Sequence, residues 1–518
     1  MINKNRPLLA ASFLPFITLA ALILVLTLYR PSQASPNGTF NVNTVADTDD
    51  GICNVAHCTL REAVNAANNA AGPDTITFTL PPSATITLAG SQLPTIIDHL
   101  TIDGSTAVSL TISGDNITRI FMVGGAPAVT LTTLTIEHGQ AITGGAVYND
   151  GGSLTIDNSL LEDNSAEYGG GLYNEAGSLT ITNSRIANNF AEYGGGAIFN
   201  TENTTTTIHS TIFVGNIADA ELNVVVISGG GILNAGMLTI SDSTFSNNGA
   251  FADANPVLPS PIEGHSAGGA INNSGQLAVY NSTFNNNLVT ASSEPFLNTA
   301  SYGFSTNDSA VGGGIYNSGV MMVSNSTFSG NMAFAADSFQ GAVPAVAYAG
   351  GGGISNTSMG TMTIVNSTFS ENGTFNYPWG AGGGGSLSNS GVLHLSNTII
   401  ANSNDSVDCV NNGTMSTNVN SLVEDGTCNS ILSGEPLLYP LQDNGGPTWT
   451  HALSSFSIAI DVGDNATCAA APVNNLDQRG VTRPLDGDGD GDAFCDIGAF
   501  EHDGPPPERS YQPIVFRN

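Results

Sequence analysis

Basic residues are almost missing from this sequence: ten Lys and Arg face 43 Asp and Glu in 518 residues, a formal charge of −33. After residue 34 there is no Lys and only seven Arg. A surface of that sign repels phosphate backbones and anionic membranes, which argues against nucleic acid as a partner and leaves cations or neutral surfaces. Charge of either sign is scarce, at 10% of residues, while Gly numbers 61 on a 41% hydrophobic background; short strands joined by turns fit this better than helices. Cysteine is absent from the whole centre of the chain, and the six present form three local pairs: Cys53 with Cys58, Cys409 with Cys428 and Cys468 with Cys495. No Cys-x-x-Cys and no clustered His accompanies them, so disulfides in an oxidising compartment are favoured over zinc. There is also no second long apolar run. The single one, Leu8 to about Leu28, follows Lys4 and Arg6 and precedes Ser32-Gln33-Ala34, as expected of a signal peptide or an uncleaved N-terminal anchor.

What is present is repetition. From residue 144 one unit recurs eight times: Gly144-Gly145-Ala146-Val147-Tyr148-Asn149, then Gly169 to Asn174, Gly194 to Asn200, Gly229 to Asn234, Gly268 to Asn273, Gly312 to Asn317, Gly351 to Asn356 and Gly383 to Asn389. The closing Asn residues lie 25, 26, 34, 39, 44, 39 and 33 residues apart, so a constant unit of about 25 residues takes insertions just before its glycines. Each unit continues into an alternating pair and a polar corner, as in Leu154-x-Ile156-x-Asn158 and Leu238-x-Ile240-x-Asp242, then into Phe-x-x-Asn, as at Phe245, Phe284, Phe328 and Phe369. Period two marks strands with one buried face. Three short strands and three corners per unit predict one solenoid turn, with equal positions stacked about 4.8 Å apart as ladders. In such ladders Leu, Ile, Val, Met and Phe fill the interior, Gly serves a corner, and Asn stacks amide on amide in a structural role. The insertions 217–228, 249–267, 288–311 and 332–349 are expected to leave the cylinder on one side as loops that could carry specificity.

Upstream, Thr75-Ile76-Thr77-Phe78, Thr85 to Leu88, Leu110-Thr111-Ile112 and Leu131 to Ile136 predict two or three less regular turns. Thr59-Leu60-Arg61-Glu62 is a capping box opening one helix, with Ala63, Val64, Ala66 and Ala67 on an apolar side that could cover the end of the solenoid.

Both ends carry specific motifs. Thr44 to Gly51, Cys58-Thr59-Leu60-Arg61-Glu62-Ala63 and Gly72 to Ile76 resemble the bacterial CSLREA domain, with Thr59 in place of its usual serine. Asp443 to Thr448, Ala459-Ile460-Asp461, Asp477-Gln478-Arg479-Gly480, Arg483-Pro484 and Cys495-Asp496-Ile497-Gly498-Ala499-Phe500-Glu501 resemble the choice-of-anchor Q domain. The middle is similar to the repeats of polymorphic outer-membrane proteins. These resemblances imply a bacterial surface or secreted protein and bring no established reaction. The expected class is all-β: a single-stranded right-handed parallel β-helix, pectin-lyase-like, with a helix-containing N-terminal cap and a disulfide-bearing C-terminal cap. The expected divisions are 1–34 signal or anchor, 35–80 N-terminal cap, 81–402 repeats, 403–503 C-terminal domain and 504–518 Pro-rich tail. The tail has neither an LPxTG motif nor a hydrophobic helix.

Two constellations could carry chemistry. Asp486, Asp488, Asp490 and Asp492 alternate with Gly, and so many carboxylates in seven residues invite a structural Ca²⁺. Ile497 stands where an EF-hand needs its bidentate Glu, so an ordinary EF-hand is excluded. Ala166-Glu167-Tyr168 and Ala191-Glu192-Tyr193 repeat identically 25 residues apart, stacking Glu167 on Glu192 and Tyr168 on Tyr193 as a binding patch, a cation site or a retaining-glycosidase pair. A uronate lyase needs a base with cations beside the developing enolate. Between residues 75 and 402 the cations include Arg119 and Arg185, with His138, His209, His265 and His394 at no shared repeat position. The sequence therefore predicts a monomeric adhesive or glycan-binding scaffold at or outside the cell surface, meeting extracellular glycans or proteins. A glycoside hydrolase is the alternative.

Overall fold

The computed structural model describes residues 37–220, 226–254, 264–293, 308–337, 347–377 and 382–504. The N-terminal apolar run, the Pro-rich tail from residue 505 and the tips of the insertions lie outside these residues. The protein is all-β, and its strands stack in three long parallel sheets of 21, 12 and 12 strands in a solenoid-like arrangement.

One rung shows how the repeat folds. Val147–Asp157 lies in the first sheet, Leu160–Glu162 in the second and Ser165–Tyr168 in the third. The next rung repeats this as Leu172–Thr182, Arg185–Ala187 and Phe190–Gly194, with Leu154 opposite Leu179 and Leu161 opposite Ile186. Both the Gly-initiated pair and the alternating stretch of each unit belong to the first sheet, bending at the closing Asn. The strand that follows Phe-x-x-Asn, unassigned in the sequence reading, forms the third. Upstream, Asp74–Phe78, Leu100–Asp103 and Ala128–Thr132 continue the first sheet, and Thr39–Val42 pairs with Asp74–Phe78 as its first strand.

Stacking like on like decides which residues the corners accept. After the alternating stretch, Asn158, Asn183, Asp242, Asn281, Asn325, Asn366 and Asn397 sit at φ between 44° and 51°, a left-handed conformation that Asn and Asp tolerate. Gly144, Gly169, Gly195, Gly229, Gly268, Gly312 and Gly351 take positive φ, and a Cβ on the following Gly145 would meet the backbone oxygens of Gly170 and Ser165. Inside, Asn164, Asn189, Asn216, Asn248, Asn287, Asn331 and Asn372 form a buried ladder, each side-chain amide donating to the next Asn Oδ1 at 2.8–3.0 Å. The closing Asn residues form a second ladder from Asn149 to Asn411, at 2.7–3.5 Å. Beside them Phe213, Phe245, Phe284, Phe328 and Phe369 stack with centroids 4.6–4.8 Å apart.

The insertions depart from expectation. Most of their described residues are strand, not loop. Outgoing strands Ile217–Ala220, Gly249–Ala254, Leu288–Ser293, Met332–Asp337 and Gly373–Tyr377 stack on one another, and so do returning strands Val226–Ser228, His265–Ala267, Ser309–Val311 and Tyr348–Gly350. Both series start from Phe190–Gly194, so the third sheet forks there. The two half-sheets share a buried layer of small side chains, Ala218, Ala250, Ala252, Ala291, Ala310, Ala333, Ala335 and Ala349 among them, which lets them close into a thin fin. Unlike a loop, this fin is hydrogen-bonded through every rung.

Helix α1 (Leu60–Asn69) opens on Thr59 with both bonds of the capping box and buries Leu60, Ala63, Val64 and Ala67 against Thr39–Val42 and Asp74–Phe78. The other helical pieces are a single 3₁₀ turn at Gly104–Thr106 and the short helix α2 (Asn465–Ala469). All three expected disulfides are present, Cys53–Cys58, Cys409–Cys428 and Cys468–Cys495. Among the described residues no helix is long and apolar enough to cross a membrane.

The Asn ladder yields a stability prediction. Asn287→Ala removes the acceptor of the Asn248 backbone and side-chain N–H groups and the donor to the Phe245 carbonyl, all inside the core. Two or more orphaned buried groups should cost about 3 kcal/mol or more, read by urea denaturation, whereas half-exposed Ser246→Ala should stay within about 0.5 kcal/mol of wild type.

Candidate functional site

The residues singled out by the Ala-Glu-Tyr repeat lie on Ser165–Tyr168 and Phe190–Gly194 of the third sheet. Ala166 pairs with Ala191, but the register then slips so that Tyr168 opposes Gly194. The bulge places two residues opposite Glu167, and the expected one-to-one stack of Glu167 on Glu192 is corrected to that extent. The Tyr168 and Tyr193 rings still meet, 5.2 Å apart and tilted by 44°. Tyr168 also meets Phe199 edge-on at 5.7 Å, Phe199 stacks on Tyr173 at 4.9 Å, and Tyr173 stacks on Tyr148 at 5.5 Å. Arg119 closes this row 5.0 Å over Tyr148. Burial and then the adjacent Glu175 push the Tyr173 phenol up to about 12. The result is an aromatic patch edged with carboxylates.

A second surface was invisible to repeat reading. Where the first and second sheets meet, an open groove of about 550 Å³ runs parallel to the axis over five rungs. Its rim repeats the corner residues Ser109, Thr133, Asn158, Asn183 and Ser210, all at positive φ, beside Leu160, Arg185 and Ile212. The lining is hydroxyls and amides over aliphatic carbon, with Arg185 its cation.

On later rungs the same corner is covered by the C-terminal region. Thr448 donates to the Asn281 carbonyl (2.8 Å), Thr283 to the Trp449 carbonyl (2.6 Å), Asn325 to the Leu476 carbonyl (3.0 Å) and Asn397 to the Asp464 carbonyl (3.1 Å). Gln478 spans two rungs, donating to Thr283 Oγ1 at 3.0 Å and accepting from Thr327 Oγ1 at 2.7 Å. Hence Thr327, Thr368 and Ile399 are buried, while Ile212, at the corresponding place in the groove, is 47% exposed.

The charged residues of the C-terminal motif are structural. Arg479 pairs with Asp477 at 2.7 Å and lies 3.6 Å over the Phe500 ring. Arg483 is fully buried with its Nε 3.5 Å from Glu501 Oε2, and Asp496 and Glu501 are buried beside it. Three carboxyls and two guanidiniums make a neutral cluster if one acid keeps its proton. Burial, and then the Glu501 charge, push Asp496 up to about 8, so it is that acid.

The Asp486–Asp492 run folds as a turn whose carboxylates accept backbone N–H groups. Asp486 caps Gly489 (2.7 Å) and Gly491 (3.1 Å), Asp488 caps Asp490 (3.0 Å), and Asp490 caps Asp492 (2.9 Å). The ligand set expected from sequence is not the one brought together. Asp461, Asp486 and Asp488 place an oxygen each within 4.8 Å of one another, and Asp490 and Asp492 are not in that group. Asp461 arrives from a distant segment and accepts from the Asp488 N–H at 2.8 Å. Burial raises its pKa. Among the other cations, His209 pairs with Asp242 at 3.2 Å and His394 faces Thr417 Oγ1 at 2.9 Å.

Asp496 makes stability depend on pH. Its folded pKa lies above the unfolded value of about 4, so its contribution is complete below that value and is lost as pH rises through about 8. His451, lowered by burial, acts oppositely near its own titration and is avoided by working between about pH 7 and about pH 9. The midpoint of urea unfolding should fall across that window, and Asp496→Asn should flatten the fall even if it lowers stability throughout. No protein-family model and no curated protein matches this chain.

Proposed function

We propose that this chain is an exported, right-handed, single-stranded parallel β-helix of pectin-lyase-like form that works at or outside the cell surface as a glycan-binding scaffold without catalysis. The handedness follows from consecutive parallel strands returning to the same sheet, a connection that is right-handed almost without exception. Three disulfides suit an oxidising compartment, and the terminal motifs resemble the CSLREA and choice-of-anchor Q domains of bacterial surface proteins.

The observation that carries the reading is the axial groove. Hydroxyls and amides repeat along it at a rung spacing of about 4.8 Å, which suits a linear polymer with a short polar repeat. A neutral glycan avoids the charge penalty that an anionic chain would meet on a protein at −33. Binding of neutral hexasaccharides to the ectodomain, measured by calorimetry, should weaken about tenfold or more in Asn158→Ala with Asn183→Ala and persist in Glu167→Gln with Glu192→Gln. Product release that stops in the Glu variants would instead establish the hydrolase alternative.

The cation reading moves to a new ligand set: Asp461, Asp486 and Asp488 bind Ca²⁺, with backbone oxygens and water completing the shell. An ion bound only by the folded form raises stability by mass action. The melting temperature should rise in millimolar Ca²⁺ and fall with chelator, and Asp461→Asn should remove the response while Asp492→Asn leaves it. Identical melting of wild type in both buffers sinks the site.

A further inference from the structure

A different set of donors meets at the other end of the molecule, in the loop that precedes α1. Asp50, His57 and Glu62 bring one ligand atom each within 4.8 Å of one another. His57 Nδ1 lies 3.4 Å from Glu62 Oε2 and 3.8 Å from Asp50 Oδ2. Neither contact forms a hydrogen bond. Nδ1 is nevertheless buried and has no hydrogen-bond partner, although 39% of the side chain is accessible.

An imidazole nitrogen facing two carboxylate oxygens at 3.4 and 3.8 Å comes within a few tenths of an ångström of the edges of a coordination tetrahedron. Bonds of about 2.0–2.2 Å in tetrahedral geometry set ligand atoms about 3.3–3.6 Å apart. The carboxylates are already oriented. Glu62 accepts from the backbone N–H of Asp50 and of Thr59, both at 2.9 Å, and Asp50 Oδ1 accepts from Ile52 at 3.0 Å, leaving Oδ2 toward His57. Such outer contacts are what hold metal ligands in place. The Cys53–Cys58 disulfide closes the same loop, so little ordering is left for an ion to impose. Glu62 is fully buried, and the neighbouring guanidinium of Arg61 is spent on Asp47 at 2.8 Å. That leaves His57 as the cation beside it only when protonated.

We propose that Asp50, His57 and Glu62 bind a divalent transition ion of the zinc class, with a fourth position open to water on the exposed Asp50 side. The ion locks the loop onto α1 at the first rung of the solenoid. One nitrogen and two carboxylate oxygens favour zinc over calcium, which takes six to eight oxygens. The site is independent of the acidic turn at the far end and of the glycan groove.

The test is calorimetric titration of the unreduced ectodomain, stripped with chelator, with Zn²⁺ alone. One equivalent should bind with micromolar or tighter affinity and raise the melting temperature. Affinity should drop about a hundredfold in His57→Ala and at least about tenfold in Asp50→Asn, a surface change that leaves the capping box intact. Asp461→Asn should bind Zn²⁺ as wild type does. Absence of binding overturns the proposal, as does wild-type affinity in both Asp50→Asn and His57→Ala. A His57→Ala protein that loses only a pH-dependent part of its stability, with Zn²⁺ binding unchanged, would identify an imidazolium–Glu62 ion pair in its place.

Discussion

Everything in this molecule depends on parallel, in-register stacking. Each rung sends its backbone hydrogen bonds to the rungs above and below, so every side chain stands about 4.8 Å from the residue at its own repeat position. Position by position, a residue must therefore be compatible with a copy of itself. Asn can be, because its amide donates upward and its carbonyl accepts from below, as the ladder from Asn164 to Asn372 does. Phe can, by stacking face on face from Phe213 to Phe369. Stacked charges of one sign cannot, except at the surface. A chain with only 10% charged residues is what that condition selects.

A stack has two ends and one weak flank, and the molecule treats each differently. Helix α1 covers the first rungs with a small apolar face. At the far end the C-terminal region turns back along the corner between the first and second sheets and bonds to four successive rungs, from Asn281 to Asn397. The residues of the Asp-Gln-Arg-Gly and Asp-Ile-Gly-Ala-Phe-Glu motifs supply that docking and a buried, charge-balanced cluster around Arg483. On the flank, insertions that would be floppy as loops are knitted into the third sheet, with alanine keeping the two half-sheets close.

Because docking stops near rung Asn281, the same corner stays open from Ser109 to Ile212. The groove is a consequence of where the C-terminal region ends, and its chemistry is that of the corner ladder itself. Corner positions that hold the C-terminal region in one half line the open groove in the other.

Sequence alone determined the rung. The spacing of the closing Asn residues, period-two alternation, Gly and Asn at left-handed corners, the local Cys pairs and the capping box at Thr59 all act within one repeat or between adjacent ones, where spacing translates directly into contact. The meeting of Tyr168 and Tyr193 was legible for the same reason, though not the tilt between their rings. Tertiary structure decided whatever joins residues distant in sequence or depends on a local irregularity. The bulge after Ala191 shifts Glu192 against Glu167, and no periodicity announces it. Asp461 joins Asp486 and Asp488 across a fold of the C-terminal region, while Asp490 and Asp492, adjacent in sequence, turn to backbone amides. His57 reaches Glu62 only because a disulfide-closed loop returns to the first turn of a helix. The forking of the third sheet and the open groove are likewise set by which rungs have a neighbour to pair with and which have none.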